Sequence, residues 1–407
     1  MKDMNVSRKV ALLFPGTGTQ YVGMGRSLCE TYPIAAATFE EAADIIGFDL
    51  QKLCWEGPQA MLDDVIYSQL AILTYSVACY RVLTSVLGVN PAFGCGHSVG
   101  EYAALTCAGV FDLKSAIKLV QVRTRLLKEI GAATGSCMAA VKNIDLPVFR
   151  QLVADCSAAG HVVYHTINNH FRQQVVAGSR ESVARFLQIA GEVGADTNYL
   201  FTDYASHCRI MDAGAEDMSV ALNECAVHSF DWPVIATVSA RPYEAGDMVK
   251  RTLLKQFIKT VRWKESMEYL VSCGVDLMIE VGPQMVLKNL LRSVSPGIKS
   301  YAMDAEEDLE ELKRRYSRRG MTTAALIDRC LAIAASTKNS VIDNNADLLF
   351  DPWSQLTTMR GSYTDTPLTT DAKDNALRLL HDILTAKGFS ASECKREMEF
   401  LNSQPAF

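Results

Sequence analysis

The sequence predicts an α/β fold with a largely parallel sheet, a smaller inserted domain and a helical C-terminal segment. Short apolar runs alternate with helical patterns through most of the 407 residues, and such alternation is typical of parallel sheets. Several short β-rich segments interrupt this alternation in the middle of the chain, and only helical patterns follow near its end. We therefore expect a core of residues 1–131 and 203–300, an insert of 132–202 and an extension of 301–407.

The N-terminal part of the core begins with the buried strand "KVALLF" (9–14). The apolar spacing then predicts helices over 34–47, 68–88 and 113–131, and the first of them ends at a glycine, a common helix stop. Residues 91–109 predict a short strand, a sharp turn and a helix.

The insert consists of three β-rich runs, "SCMAAV" (136–141), "HVVYHTINN" (161–169) and "QQVVAGS" (173–179), with helices between and after them. This β-α-β-β-α order suggests a ferredoxin-like unit. Beyond the insert, "VIATVSA" (234–240) and "LMIEVGP" (277–283) predict further core strands.

The extension begins with "DAEEDLEELKRRYSRR", whose early acids and late bases suit a solvated helix and its dipole. A second helix is predicted over 321–336, and one or two more over 375–402. Residues 338–372 between them are predicted to be a long loop.

Composition restricts the possible partners and the compartment. The net charge of −6 and the pI of about 5.7 argue against nucleic acid. The twelve cysteines include no Cys-x-x-Cys pair, which favours reduced, buried thiols in a reducing compartment. No apolar run reaches the ~20 residues of a membrane helix, and the segment before Lys9 is too short and polar for a signal peptide. We expect a cytoplasmic protein without a metal site.

The pentapeptide "GHSVG" (96–100) has the Gly-x-Ser-x-Gly form of a nucleophile elbow. A serine on a tight strand-to-helix turn stands at a helix N-terminus, where the partial positive charge favours a developing anion. The alternative is structural, because Ser98-x-x-Glu101 also fits a helix capping box. The pentapeptide alone leaves both hypotheses open.

The glycine turn "FPGTGTQ" (14–20) also has two interpretations, a cradle for dinucleotide phosphates or a loop whose backbone N–H groups face an oxyanion. The dinucleotide interpretation requires a third glycine at a fixed offset and an acidic residue after the next strand. The sequence has neither.

Four segments, "FPGTGTQYVGMG", "GHSVGEYAAL", "ASHCRIM" and "IEVGP", occur in an order and at spacings that resemble the malonyl-CoA:acyl-carrier-protein transacylases and related acyltransferase domains of fatty-acid and polyketide synthases. The resemblance covers roughly residues 9–300. It implies an α/β-hydrolase-like large domain and a ferredoxin-like small domain, with the active site between them. It also implies ping-pong transfer of a malonyl group from CoA to the phosphopantetheine thiol of an acyl carrier protein, with no bound cofactor.

The resemblance assigns the principal site residues. Ser98 is the expected nucleophile, and His207, 109 residues later, is the expected general base. The backbone carbonyl of Gln256 takes the place of the acid that orients the histidine in a conventional triad. The backbone N–H groups of Thr17 and Val99 are expected to face the oxyanion. The family commonly has glutamine at the position of Thr17, so a side-chain contact is lost here while the backbone donor remains.

Four further residues concern the acyl group. Arg123 lies 25 residues after Ser98 and is expected to bind the malonyl carboxylate in bidentate fashion. Tyr204 and Ser206 belong to "YASH", which resembles the motif used for methylmalonyl units, where a small residue leaves room for a methyl. Asn169 lies in the family's substrate-side segment and is expected to line the cleft.

Several alternatives stay open at this point. Val99 resembles the malonyl type, and one methyl group is worth only ~1 kcal/mol of discrimination, so malonyl is the first expectation and a substituted malonyl unit the second. Two alternative functions are an acyl hydrolase on the same scaffold and a carrier-protein docking subunit with an inactive site. Arg123 argues against the hydrolase, and the intact Ser98 and His207 argue against the docking subunit. The extension either packs on the core, docks a partner such as a synthase complex, or has no binding role.

Overall fold

A computed structural model describes residues 9–317, 323–336, 346–363 and 369–403. Its largest sheet has six strands in the order β10-β9-β1-β2-β7-β8. The pairs along the sheet are parallel except the last, β7 with β8, which is antiparallel. The strands are β1 (Lys9–Phe14), β2 (Phe93–Gly96), β7 (Val234–Ala236), β8 (Arg241–Pro242), β9 (Val275–Glu280) and β10 (Lys299–Ala302).

The predicted α/β class with a mainly parallel sheet is confirmed. Strand β1 lies between β9 and β2, and five of its six residues are buried. Phe14 is paired with Gly96, so β1 and β2 end side by side. The glycine turn after β1 and the pentapeptide after β2 therefore leave the sheet at the same edge, where ligands of open α/β sheets bind. Strand β10 extends to Ala302, two residues past the boundary predicted at 300.

A second sheet is antiparallel and has four strands in the order β4-β5-β3-β6. It is formed by β3 (Ser136–Lys142), β4 (Val163–His170), β5 (Gln173–Ser179) and β6 (Asp196–Tyr199). Helix α8 (Leu146–Ala158) connects β3 to β4, and α9 (Arg180–Glu192) connects β5 to β6. The sequence analysis did not predict β6, because this short edge strand is mostly exposed and lacks the apolar run of its neighbours.

Eleven further α-helices lie within the first 300 residues of the described chain, and the predicted helices over 34–47, 68–88 and 113–131 are confirmed. They are α1 (Arg26–Thr31), α2 (Pro33–Ile46), α3 (Leu50–Glu56), α4 (Gln59–Leu62), α5 (Val65–Ser85), α6 (Gly100–Cys107), α7 (Leu113–Thr134), α10 (Ala215–Glu224), α11 (Asp247–Ile258), α12 (Trp263–Ser272) and α13 (Val286–Val294). A 3-10 helix at Arg209–Gly214 precedes α10.

The last hundred residues contain five helices in the part that the structure describes, namely α14 (Glu306–Ser317), α15 (Thr323–Ser336), α16 (Ala346–Ser362), α17 (Thr370–Ala386) and α18 (Ala391–Ser403). Helix α16 corrects the predicted loop over 338–372, of which 338–345 and 364–368 lie outside the described residues. Leu356 is fully buried and Met359 and Tyr363 pack against the same apolar cluster, at helical spacing. Pro352 within α16 hid this pattern, because proline usually ends a helix.

The chain contains two compact units. One consists of residues up to Met24 together with Ala42–Val77 and Pro91–Ala305. The other consists of Gly25–Glu41, Ala78–Asn90 and residues from Glu306 onward. Among the described helices, none is both long enough and apolar enough to span a bilayer.

Candidate active site

The pentapeptide 96–100 forms a tight strand-to-helix turn between β2 and α6. Ser98 has a φ of 55°, in the left-handed region that non-glycine residues rarely adopt. A Cβ on Gly96 would lie 2.1 Å from the Gly100 carbonyl carbon, and a Cβ on Gly100 would lie 2.1 Å from Phe14 O. Both positions therefore require glycine, and the strained turn presents the Ser98 side chain at the sheet edge.

The alternative hypothesis of a capping box at Ser98 is wrong. The residue that caps α6 is Val99, without a side-chain hydrogen bond. The Glu101 carboxylate turns away from the helix end and accepts hydrogen bonds from Thr237 and Tyr243. Ser98 is thus free of the structural role and available for chemistry.

The Ser98 hydroxyl is paired with an imidazole. Ser98 Oγ lies 2.8 Å from His207 Nε2, and His207 Nδ1 lies 2.7 Å from the backbone oxygen of Gln256. A carbonyl only accepts, so Nδ1 carries the proton and Nε2 is left as the acceptor for the serine hydroxyl. The Gln256 side chain donates from Nε2 to Ser98 O at 2.8 Å, which ties helix α11 to the elbow.

The environment of His207 keeps its ring neutral. The residue is 1% exposed, and this burial, followed by the positive charge of Arg123, lowers the pKa of His207 to about 3. The bond to the Gln256 carbonyl acts in the opposite direction. A neutral imidazole beside a serine hydroxyl is ready to accept its proton.

Arg123, on α7, places a buried guanidinium beside the serine. Arg123 Nη2 donates to Ser98 Oγ at 3.1 Å, and Nη1 donates to the Gln69 side chain. Arg123 Nε is buried and has no hydrogen-bond partner, and Arg123 forms no ion pair with the described residues. Burial lowers the pKa of Arg123 from its ordinary value. A desolvated cation without a counter-ion is costly, so the site suits a ligand that carries an anion.

Arg125, two residues further along α7, faces away from this site. Its side chain is half exposed and forms ion pairs with Glu129 at 3.0 Å and Asp217 at 3.5 Å. Only one of the two neighbouring arginines is therefore in the position of a ligand-binding cation.

Gln69 is a site residue that the sequence analysis missed. It lies on α5, accepts from Arg123 and donates from Nε2 to Thr17 Oγ1 at 3.2 Å. Tyr204 is buried near this group: burial raises the pKa of its hydroxyl, while the positive charge of Arg123 acts in the opposite direction. The available signal was a large amide side chain in the mostly apolar run "SQLAILTYSVACY", where a buried glutamine requires hydrogen-bond partners.

The glycine turn after β1 lies against the elbow. A Cβ on Gly16 would lie 2.6 Å from His97 O, so only glycine allows this approach. Thr17 follows Gly16 directly, and Val99 follows the serine at the start of α6. These two residues thus belong to the two loops that meet beside the Ser98 hydroxyl.

The two remaining predicted residues line the second sheet. Asn169, on β4, pairs with the ring of His97 through Oδ1 and Nε2, 2.9 Å apart. Ser206 is 5% exposed, and its hydroxyl donates to the Met138 sulfur at 3.3 Å. Ser206 therefore faces β3 in the structure, one residue before the imidazole.

The chain is similar to a known family of acyltransferases over most of its length. The family model described as acyl transferase domain matches residues 11–317. Malonyl CoA-acyl carrier protein transacylases from Bacillus subtilis and from Escherichia coli strain K12 are similar to this chain. The first is 36% identical over 303 residues, which cover 74% of this chain and 76% of the relative. The second is 35% identical over 295 residues, which cover 72% and 95%.

Solved structures give the same result. The malonyl-CoA:acyl carrier protein transacylase of Xanthomonas oryzae superposes with a TM-score of 0.73 at 30% identity, over 76% of this chain and 98% of that one. The malonyl-transacylase PlMCAT, solved with the type II polyketide synthase acyl-carrier protein AntF, has a TM-score of 0.73 at 31% identity, over 75% and 99%. The chain belongs to the acyl transferase domain family, within which its relatives are malonyl-CoA:acyl-carrier-protein transacylases.

Proposed function

We propose that this protein transfers a malonyl group from CoA to the phosphopantetheine thiol of an acyl carrier protein through an acyl-serine intermediate. One observation supports this most directly. Ser98 Oγ lies within hydrogen-bonding distance of both a neutral imidazole, at 2.8 Å, and a buried guanidinium, at 3.1 Å. The first suits proton abstraction, and the second suits an acyl group that ends in a carboxylate.

In the first half-reaction the Ser98 oxygen attacks the thioester carbonyl while its proton moves to His207 Nε2. The Gln256 carbonyl holds the imidazolium through Nδ1–H, and the N–H groups of Thr17 and Val99 stabilise the oxyanion. Collapse breaks the carbon–sulfur bond, and the proton passes from His207 to the CoA thiolate.

The second half-reaction is the reverse with a new thiol. The carrier's phosphopantetheine thiol gives its proton to His207 and attacks the acyl-serine, and Ser98 leaves with that proton. Arg123 binds the malonyl carboxylate in both half-reactions. Gln69 accepts a hydrogen bond from the guanidinium, and Tyr204 lines the same side of the pocket. Asn169 orients the ring of His97, the residue directly before the nucleophile.

A substituted malonyl unit is the second candidate substrate. The small side chain of Ser206, turned toward Met138, leaves space that a larger residue would fill. We place malonyl first, because Val99 resembles the malonyl type and the similar proteins are malonyl transacylases; a single methyl group is worth only ~1 kcal/mol of discrimination.

We also propose a domain organisation. The core of 1–131 and 203–300 is α/β-hydrolase-like, and the insert of 132–202 is ferredoxin-like, supported by its β-α-β-β-α-β order and antiparallel pairing. The extension contributes a helical cluster that packs on its own unit, where Arg329 donates to the oxygens of Ser85 and Val86 at the end of α5. Docking of a synthase complex is a second proposed role of the extension.

The cysteines support a reducing compartment such as the cytoplasm. All twelve lie within the described ranges, and none of them forms a disulfide there.

The experiment that tests the function is steady-state transfer from labelled malonyl-CoA to a phosphopantetheinylated carrier protein. We expect malonyl carrier protein as the product and parallel double-reciprocal lines, the signature of ping-pong transfer. A carrier protein without phosphopantetheine is the control and stays unlabelled. Release of free malonate without labelled carrier would instead establish the hydrolase.

A further inference from the structure

The glycine turn after β1 contains a buried hydroxyl that the proposed mechanism does not use. Thr19 is 3% exposed, and its Oγ1 donates to the backbone oxygen of Gly16 at 2.9 Å. The Gly16 oxygen and the Thr17 N–H belong to the same peptide unit. The Thr19 hydroxyl therefore holds one end of the peptide whose other end is proposed to face the oxyanion.

The geometry of this peptide couples its two polar groups. The peptide between Gly16 and Thr17 is trans, so it is planar and its carbonyl and N–H point in opposite directions. Any rotation of the Gly16 carbonyl thus turns the Thr17 N–H by the same angle. Glycine is required at position 16 by the close approach to His97 O, and glycine restrains the following peptide least. The hydrogen bond from Thr19 supplies the restraint that a glycine lacks.

A separate set of contacts places Thr17 near the nucleophile. Thr17 Oγ1 accepts from Gln69 Nε2 at 3.2 Å, and Gln69 accepts from Arg123. Arg123 Nη2 in turn donates to Ser98 Oγ at 3.1 Å. The Thr17 side chain is therefore held from the guanidinium side of the site, whereas the peptide before it is held by Thr19.

The backbone of Thr19 is itself held from outside the turn. Gln284 Nε2 donates to Thr19 O at 3.1 Å, and the Gln284 N–H donates to Asp304 Oδ2 at 2.7 Å. The Tyr21 hydroxyl donates to the same carboxylate oxygen at 2.9 Å. Gln284 has a φ of 61°, a strained conformation for a residue other than glycine. Such strain persists only where the surrounding contacts impose it, so these hydrogen bonds form a firm support for the turn.

We propose that Thr19 is a positioning residue for the acyl transfer, because it fixes the peptide whose Thr17 N–H faces the oxyanion. Gln284 assists by holding the Thr19 backbone. A hydrogen bond accepted by the Gly16 carbonyl also polarises the peptide, which makes its N–H a stronger donor. Both effects matter most in the transition state, when the thioester oxygen gains negative charge. This inference rests on the proposed function.

The test compares four variants in the full-length protein. Thr19→Val removes the hydroxyl and keeps the branched shape, and Thr19→Ser keeps the hydroxyl. Gln284→Met removes the amide that donates to Thr19 O. Thr38→Val is the matched control, because Thr38 is 0% exposed and its Oγ1 donates to the backbone oxygen of Ile34 at 2.8 Å.

Four quantities are measured for each variant. The first two are the melting temperature and the single-turnover acylation by malonyl-CoA, with its rate constant and half-saturation concentration. The third is the infrared band of the ¹³C-labelled ester carbonyl in the acyl-serine, because hydrogen bonds to a carbonyl oxygen lower its stretching frequency. The fourth is the amide resonance of Thr17 in the free protein labelled with ¹⁵N-threonine.

We expect Thr19→Val to lower the acylation rate constant about tenfold, with the half-saturation concentration within twofold. This is less than the loss of about 10²–10³-fold on removal of an oxyanion donor, because the N–H remains. Thr19→Ser should stay within twofold of wild type, and Gln284→Met should lose about threefold, because it acts one contact further away. In Thr19→Val the ester band should move to higher frequency and the Thr17 resonance should shift. Thr38→Val should lower only the melting temperature.

The proposal would be overturned by a wild-type rate or an unmoved ester band in Thr19→Val, by an equal loss in Thr19→Ser, or by an equal loss in Thr38→Val. If Thr19→Val does not fold, Gln284→Met decides, because Gln284 is exposed, and a wild-type rate and band then count against the proposal. The Thr17 resonance does not depend on turnover. Absence of an acyl-serine in wild-type protein would therefore refute the proposed function, whereas an unshifted resonance in Thr19→Val would refute the role of Thr19.

Discussion

Replacing Arg123 by alanine removes the only arginine near Ser98 that is buried and without an ion pair in the described part of the chain. A guanidinium fork gives a carboxylate two charge-assisted hydrogen bonds, each worth about 1.5–3 kcal/mol. Loss of the fork also leaves the malonyl carboxylate unpaired in a buried site, which costs about 2–5 kcal/mol in comparable pairs. We therefore expect a loss of about 3–4 kcal/mol in transition-state binding.

This loss corresponds to a decrease of about 10²–10³-fold in kcat/KM for malonyl-CoA. Acetyl-CoA lacks the carboxylate, so its much slower transfer should change less than tenfold. The assay is single-turnover acylation of Ser98 by each thioester. Arg125→Ala is the matched control, because Arg125 lies on the same helix, is half exposed and pairs with Glu129 and Asp217. Its rates should stay within twofold of wild type.

A pH profile distinguishes recognition from a damaged fold. The charge of Arg123 is the second cause, after burial, of the lowered pKa of His207. Arg123→Ala should therefore raise the pKa of His207 and move the acid limb of acylation to higher pH. Equal losses for malonyl-CoA and acetyl-CoA with an unmoved limb would refute the assignment of Arg123 to the carboxylate.

Three further predictions concern other parts of the structure. Thr17→Gln should keep acylation within about threefold, because it retains the backbone N–H that faces the oxyanion and loses only the contact with Gln69. Thr17→Pro, which lacks that donor, should lose about 10²–10³-fold, and equal rates of the two variants would contradict the oxyanion role. Ser206→Phe should lower methylmalonyl transfer about tenfold more than malonyl transfer in a competition assay, in line with ~1–3 kcal/mol for one methyl, and an unchanged ratio would exclude Ser206 from selection. Because the pKa of His207 falls from 6.5 in the unfolded chain to about 3 in the folded one, stability present above pH 6.5 should be lost as the pH falls toward 3. His207→Gln should flatten that part of the urea-unfolding profile, and an unaltered slope would contradict it.

Much of the fold was predictable from the sequence because its strongest signals are local. The buried run before the glycine turn and the helical spacing of 113–131 predicted β1 and α7. The edge strand β6 and helix α16 were missed for opposite reasons. The first is too short and exposed to show a pattern, and the second contains Pro352, whose helix-breaking tendency is overridden by packing in the C-terminal cluster.

The site was predictable only in part, because its members come from distant segments. The motifs that carry family resemblance indicated Ser98 and His207, which the structure places 2.8 Å apart across 109 residues. Gln69 belongs to no catalytic pattern, and its role depends on partners that only the folded chain brings to it. A buried polar residue in an apolar helix is the general signal that a sequence offers for such groups.

The central claim is that a malonyl group is carried on Ser98, and intact-protein mass spectrometry tests it most directly. The wild-type protein is mixed with malonyl-CoA and methylmalonyl-CoA in competition, beside Ser98→Ala, and the adduct is mapped by peptide digestion. We predict the mass of one malonyl group on the peptide that contains Ser98, its absence from Ser98→Ala, and its removal by phosphopantetheinylated carrier protein. An adduct that persists in Ser98→Ala, or free acid that accumulates without any adduct, would contradict the account.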